Sequence, residues 1–555
     1  MSYQPHLPMI VQSDRSILVE VQNPLFEQAR QAIVGFTELV KSPEYIHTYR
    51  ITPLSLWNAA ASGMSCDEVL SALADFSKFG VPPSLAKEIQ NSFSRYGLVR
   101  LEKLDDHLTL VCDDPFLLTQ LMSFKSINSY IDIQLTATHY KLKPYSRGLI
   151  KQELIKLGYP VKDIAGYTDG EPCDIGLSDT TVSGRDFGLR DYQQEAVETF
   201  YANGSVHGGS GVLCLPCGAG KTVIGIGAMA KIKSATLILT TNTTSVHQWI
   251  NEVLDKTSVT PDMIGEYTGE AKEVRPITVA TYQILTHRRQ ADGEFPHMKL
   301  FDERNWGFII YDEVHMLPAP VFKMTANIQA KRRLGLTATL VREDGLEEDV
   351  FSLVGPKKYD MPWKQLEQQG YIAQATCKEI RLPIDPHLRE SYAMASPRQK
   401  YRIAAENPRK HEVITRLIQR HADDQILIIG QYVDQLESLS DALGIPLITG
   451  RVHEKDRARL YQQFKSGELK QLIVSKVANF AIDLPDANVA IQISGTFGSR
   501  QEEAQRLGRI LRPKARDNTA HFYTLVTRDT QEQEYASKRQ LFLVEQGYRY
   551  EIEET

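Results

Sequence analysis

The sequence predicts an α/β protein with two tandem parallel-sheet domains behind smaller α+β modules, and three observations carry that expectation. Nine short apolar runs, GVLCLP, ATLILTT, PITVAT, FIIYDE, LGLTAT, QILIIG, PLITG, QLIVSK and NVAIQIS, lie between residues 211 and 494 with helix-like stretches between them. Runs of strand length that are apolar on both faces belong in sheets covered by helices on both sides, and strand-helix alternation makes such sheets parallel. The pattern occurs twice, with the division between Pro356 and Gly370. The front of the chain instead shows helices with clear start and stop signals, and 555 residues allow several separate cores.

Thr52 and Pro53 serve as N-cap and first-turn proline of a helix ending at Gly63, and Ser65 with Glu68 forms a capping box. The helix so opened carries Val69, Leu70, Leu73 and Phe76 on one stripe and stops at Gly80. A third helix runs from Ser84 to about Gly97, with the strand-like LVRLEK behind it. Three helices and a strand over 1–107 resemble a winged-helix module, and a helical packing module without ligand fits equally well. Residues 108–165 alternate short strands and helices as a small α+β module, whose last helix offers Arg147, Lys151 and Lys156 to a solvated polar face. Residues 166–188, rich in Gly, Asp, Ser and Thr, read as a linker. The parallel-sheet domains follow at 189–362 and 363–555.

Composition narrows the function classes. Hydrophobic residues make 42% and charged residues 24% of the chain, with no low-complexity tract, so a disordered or fibrous class is excluded. No apolar run reaches the roughly 20 residues of a membrane helix, and the first residues lack a secretory pattern. The expectation is a cytoplasmic protein with no membrane partner. Six scattered cysteines fit a reducing compartment and form no metal constellation. At a net charge of −6, any nucleic-acid site has to be a local basic track.

The stretch CLPCGAGKT at 214–222 offers both a C-x-x-C pair and a phosphate-binding run. Context favours the second, because GVLCLP supplies a strand, CGAG a tight loop and KTVIGIGAMAKI a helix. Pro216, Cys217, Gly218, Ala219 and Gly220 would wrap a phosphate with backbone N–H groups, Lys221 would reach the β and γ phosphates, and Thr222 would hold Mg²⁺. Leu215 stands where the full pattern has its first glycine. FIIYDEVH ends an apolar strand in Asp312 and Glu313, followed by His315. At the carboxyl end of a parallel strand Asp312 can bind the metal and Glu313 can deprotonate an attacking water. In EEAQRLGRILRPK, Arg506, Arg509 and Arg512 recur every three residues on one helix face, where guanidinium groups could reach a γ phosphate. Thr240, Thr241 and Asn242 after one strand, and Thr281 and Tyr282 after another, are placed for contacts to a nucleic-acid backbone.

In order, PCGAGKT, DEVH, LTAT and QRLGRILR resemble the motif series of superfamily 2 helicases. LTATLVREDG at 336–345, GSRQEEAQRLGRILRPK at 498–514 and TYRITPLSLWN near the front are similar to the xeroderma pigmentosum group B type repair helicases, and RDTQEQEYASKRQ to a prokaryotic member. That resemblance implies two RecA-like domains, ATP and Mg²⁺ as cofactors, and 3′ to 5′ DNA unwinding in repair, with front modules tied to damaged DNA. It also implies adenine contacts from Gln193 and Arg190, coupling of hydrolysis to strand movement through Thr337 and Thr339, and strand separation at Arg342, Glu343 and Asp344. A thumb-like, DNA-gripping insertion is expected near 385–412. In SKVANFAIDL at 475–484, Asn479 replaces an acidic residue of some relatives, which leaves the role of Asp483 open. A duplex DNA translocase and an ATP-regulated damaged-DNA scaffold remain as alternatives. No nuclease constellation is present in the sequence, so incision would need a separate partner.

Overall fold

The computed structural model describes residues 3–41, 45–61, 63–105, 107–143, 146–165, 169–204, 208–287, 296–301, 303–317, 332–338, 350, 354–355, 357–475, 487–495, 500–511 and 518–555. The chain forms two compact units, the first mainly before and the second mainly after the step from Asp360 to Met361.

The first unit opens with an antiparallel sheet in the order Met9–Val11, Ser16–Glu20, Ile46–Arg50, Glu38–Lys41. Strands of three to five residues are shorter than the window in which alternation stands out, and the sequence reading did not separate them. Helices Pro53–Ala61, Cys66–Phe76 and Pro83–Arg95 follow; the second ends at Phe76, short of Gly80, and the third starts at Pro83 with no side-chain cap bond. Ser65 and Glu68 do form the reciprocal capping box, with Ser65 N–H donating to Glu68 Oε2 at 2.7 Å and Glu68 N–H to Ser65 Oγ at 3.2 Å. Val69 and Leu73 are fully buried in the shared core, against which Leu70 and Phe76 pack.

Val99–Leu104, read from the sequence as the end of the first module, pairs along its whole length with His107–Cys112. The second sheet, ordered Ile131–Gln134, His139–Leu142, His107–Cys112, Val99–Leu104, Lys162–Asp163, therefore runs across residue 107. The expectation for its basic helix is corrected. Arg147 grips Asp163 with two bonds, at 2.9 and 2.6 Å, and Lys151 Nζ lies 3.1 Å from the same carboxylate. Only Lys156 keeps an exposed position, beside Glu153. Asp163 comes from another element, 16 residues from Arg147, so the helix sequence alone does not show the pairing. Burial raises the Asp163 pKa, but Lys151 and Arg147 more than offset it and hold the carboxyl below its usual range. Its stabilisation is present above the unfolded carboxylate value and is lost as pH falls through the depressed native one. Asp163→Asn leaves two sheltered cations without their counter-charge and is expected to cost about 2 kcal/mol, read as a lowered urea midpoint at pH 7 that converges on the wild type in acid.

The stretch 166–188, expected as a linker, has no long element among its described residues, yet it is tied down. Glu171 and Cys173 N–H groups donate to Asn305 O and Lys233 O at 2.8 and 3.1 Å, Ala235 N–H donates to Glu171 O at 2.7 Å, and Ile175 is fully buried. Gly170, at φ +72°, allows this, since a Cβ there would stand 2.2 Å from Gly307 Cα.

The first parallel sheet has seven strands in the order Ile264–Tyr267, Ile277–Thr281, Thr236–Thr240, Phe308–Asp312, Arg332–Thr337, Ser210–Cys214, Lys357–Asp360. The second has Leu447–Ile448, Gln471–Ser475, Ile426–Gly430, Val489–Gln492, Thr519–Thr527, Gln374–Leu382, Tyr550–Glu554. All pairs in both are parallel. Strands such as Thr236–Thr240 and Ile426–Gly430 are buried at every position, as continuous apolar runs require.

The expected insertion near 385–412 consists of Arg389–Met394, Pro397–Ala405 and the start of Arg409–Arg420. Its inner face belongs to the core of the second unit: Tyr401, Ala404, Ala405, Asn407 and Lys410 are buried there, and Lys410 pairs with Glu532 at 2.7 Å. Arg398 and Arg402 remain exposed.

Candidate nucleotide site

The strand Ser210–Cys214 delivers the chain to the carboxyl edge of the first parallel sheet, and the helix Lys221–Ile232 begins seven residues after Cys214. Gly218 and Gly220, at φ +84° and +77°, occupy the left-handed region, which lets successive N–H groups turn toward one point. Ala219 N–H closes the turn on Pro216 O at 3.2 Å. Lys221 and Thr222 open the helix, so the loop ends where the helix dipole is positive.

The register places three strand ends side by side. Cys214 pairs with Thr337, and Leu336, one residue earlier, pairs with Asp312. Trp249 Nε1 donates to Asp312 Oδ2 at 2.9 Å, while Glu313 N–H donates to Oδ1 at 3.1 Å. Tyr282 OH donates to the Asp312 carbonyl at 3.0 Å, and burial, with Asp312 nearby, pushes that phenol well above its usual range. Trp249 also lies against the phosphate-loop helix, since a Cβ on Gly225 would stand 2.5 Å from its ring. One indole thus sets the spacing between loop helix and carboxylate. The sequence shows Trp249 only as part of the apolar stripe Val246, Trp249, Val253, which reads as core.

Glu313 has φ +50° and ψ 54°, a left-handed conformation that costs a non-glycine residue roughly 1–2 kcal/mol. That turn takes its side chain out of the strand direction. His315 Nδ1 lies 3.6 Å from Glu313 Oε2 and 2.7 Å from Thr337 Oγ1. His315 therefore joins the acidic turn to the end of the adjacent strand.

Thr240 pairs with Thr281, so Thr241 and Thr281 stand at neighbouring strand ends. Asn242 caps the helix Thr243–Lys256 by accepting from Ser245 N–H at 2.9 Å and donates to Thr241 Oγ1 at 3.1 Å. Gln283 Nε2 donates to the Thr241 carbonyl, and Thr281 Oγ1 caps the helix Tyr282–Thr286. Arg190 and Gln193 sit at the start of the helix Asp191–Tyr201, where Gln193 is buried and its Oε1 accepts from Arg190 N–H at 3.0 Å.

In the second unit Arg509 lies on the helix Arg500–Ile510. The expectation that Arg506 shares with Arg509 and Arg512 a face able to reach a γ phosphate is corrected: Arg506 is fully buried and donates to Gln492 Oε1 at 2.5 Å. The helix packs into the unit through that side, which the three-residue spacing alone does not reveal. Thr339, Arg342, Glu343, Asp344, Arg512, Asn479 and Asp483 lie outside the described residues.

The chain is similar to known proteins along nearly its whole length. The family model "Type III restriction enzyme, res subunit" matches residues 186–342, "ERCC3/RAD25/XPB C-terminal helicase" matches 366–554, and "Helicase conserved C-terminal domain" matches 9–135. The DNA 3'-5' helicase XPB of Kineococcus radiotolerans is 51% identical over 546 residues, covering 98% of this chain and 96% of that protein. The chain belongs to the XPB helicase family. The Mycobacterium tuberculosis DNA 3'-5' helicase XPB is likewise 51% identical, with 98% and 97% covered. The Saccharomyces cerevisiae general transcription and DNA repair factor IIH helicase/translocase subunit XPB/SSL2 is 32% identical over 607 residues, with 97% of this chain and 71% of that one covered. The two seven-stranded sheets are the RecA-like domains expected of an XPB family member. Among the described residues no helix is long and apolar enough to cross a membrane.

Proposed function

We propose that this chain is an ATP-dependent DNA helicase that moves 3′ to 5′ and opens DNA in repair. The observation that carries this reading is the carboxyl edge of the first parallel sheet. There a loop with two left-handed glycines opens a helix, and Asp312 and Glu313 end a strand of the same sheet. Backbone N–H groups of Gly218 to Gly220 and the Lys221 ammonium bind the β and γ phosphates. Thr222 and Asp312 present the hard oxygen donors that suit Mg²⁺, which when bound neutralises phosphate charge. Glu313 orients the attacking water and accepts its proton as the water oxygen bonds to the γ phosphorus and the bond to the ADP oxygen breaks. Arg509 and Arg512 stabilise the charge spread over the transferred group. Arg190 and Gln193 hold the base. His315 and Thr337, with Thr339, carry the change at Glu313 toward the strand ends, where Thr241 and Thr281 hold the nucleic-acid backbone. Arg342, Glu343 and Asp344 act where the strands part. Incision falls to a separate nuclease.

A duplex translocase is the second reading, favoured by the name "helicase/translocase subunit" of the eukaryotic relatives. Strand displacement on a 3′-tailed and a 5′-tailed duplex separates the two. The helicase reading expects displacement of the 3′-tailed substrate with ATP and none with a nonhydrolysable analogue. DNA-stimulated hydrolysis with third-strand displacement from a triplex, but no duplex opening, supports the translocase. Opening of the 5′-tailed substrate alone overturns the assigned polarity.

A further inference from the structure

The strand Val489–Gln492 runs into residues Ile493–Gly495 on the way to the helix that bears Arg509, and this short piece of backbone is held at every residue. Lys410 Nζ donates to the Ile493 carbonyl at 2.8 Å and to Glu532 Oε1 at 2.7 Å, with both side chains fully buried. Glu532 is completed by Thr527 N–H, which donates to its second oxygen at 2.9 Å. Ser494 Oγ accepts from Gln431 N–H at 2.8 Å and donates to Gln435 Oε1 at 3.3 Å, while Gln435 Nε2 donates to the Ala405 carbonyl at 2.8 Å. Tyr401 OH donates to the Gly495 carbonyl. A Cβ on Gly495 would meet Arg539 Cζ at 2.3 Å, so the backbone there lies directly on a buried guanidinium.

A buried ion pair is a costly way to hold a core together, because apolar side chains of similar volume do so as well or better. What an ammonium adds is direction: two short bonds, one to a carboxylate and one to a carbonyl of the chain leading to Arg509. The helix that supplies Tyr401 turns Arg398 to solvent and carries Arg402, which pairs at the surface with Glu406 and Asp434 at 3.0 and 2.6 Å, so one helix joins an exposed basic surface to hydrogen bonds on this loop.

We infer that Lys410 and Tyr401 are positioning residues for the arginine helix, and that the segment Pro397–Arg420 sets the path of residues 493–495 and so passes DNA engagement on to ATP hydrolysis. This rests on the reading of Arg509 given above. The test uses the full-length chain and the rate of ATP hydrolysis with and without single-stranded DNA. Lys410→Met alone takes from the buried Glu532 carboxylate its ion-pair contact, leaving it the more distant Arg539 charge and the Thr527 N–H, and lowers the unfolding temperature. The double variant Lys410→Met/Glu532→Gln removes both charges and is expected to regain that temperature, while the DNA-stimulated kcat stays about tenfold low and the KM for ATP stays within about twofold. Tyr401→Phe, which removes no charge although it takes one hydrogen bond from the buried Arg539 guanidinium, is expected to lower the DNA-stimulated kcat about threefold at unchanged KM. Recovery of kcat together with stability in the double variant overturns the inference, as does an unchanged kcat in Tyr401→Phe. A wild-type chain that hydrolyses no ATP with DNA present instead removes the functional reading beneath it.

Discussion

Glu313→Gln is expected to lower DNA-stimulated ATP hydrolysis by about 10²- to 10³-fold while ATP binding stays within a few-fold of wild type. The substitution keeps the size and one carbonyl oxygen of the side chain, so it tests proton transfer rather than packing. Geometry sharpens the expectation, because Glu313 is held at φ +50° with His315 Nδ1 3.6 Å from its carboxylate. A glutamine meets no new backbone demand there, as both residues carry the same left-handed cost. A residue kept in that conformation for packing alone would gain from relaxation, and Glu313→Gly would then stabilise the protein and keep its activity. The proposed role expects Glu313→Gly to hydrolyse no faster than Glu313→Gln. Single-turnover hydrolysis with a fluorescent-nucleotide binding curve measures both quantities. A kcat within threefold of wild type in Glu313→Gln removes this residue from the chemistry.

What the sequence made legible follows physical lines. Elements that specify themselves locally were readable: the Ser65 and Glu68 capping box, the glycine-rich turn into Lys221, and runs such as ILIIG that are buried at every position. Strands at the flanks of the sheets were not. Gln374–Leu382 mixes Lys378, Glu379 and Arg381 with apolar residues, and Tyr550–Glu554 is largely exposed, so neither shows a continuous apolar run. Polar residues brought together from distant parts of the chain were hidden for another reason. Lys410 with Glu532, Arg147 with Asp163, and Arg506 with Gln492 pair across 122, 16 and 14 residues, separations that no local spacing reveals. In the candidate site the directly reacting groups carry motif spacing, while Trp249 carries none and Tyr282, expected at a nucleic-acid backbone, is instead buried with its hydroxyl on the Asp312 carbonyl.

Lys221→Ala should abolish DNA-stimulated hydrolysis, a loss of about 10³-fold or more in kcat/KM, and should do so without weakening the fold. The two halves of that expectation come from one position. Lys221 is the first residue of the helix Lys221–Ile232, where an ammonium opposes the positive end of the helix dipole and costs about 0.3–1 kcal/mol. Alanine has the highest helix propensity of any residue, so the substitution removes a repulsion and improves the local preference together. A lysine kept for stability would be misplaced here; one kept to meet phosphate charge is where it has to be, since the dipole and the N–H groups of Gly218 to Gly220 favour the same anion. Thermal unfolding without nucleotide is expected to give an unchanged or slightly raised Tm for Lys221→Ala. With excess ATP the wild type gains stability by mass action and the variant gains far less. A fall in Tm alongside the loss of activity would return Lys221 to a structural role, and turnover at the wild-type rate would remove the phosphate site altogether.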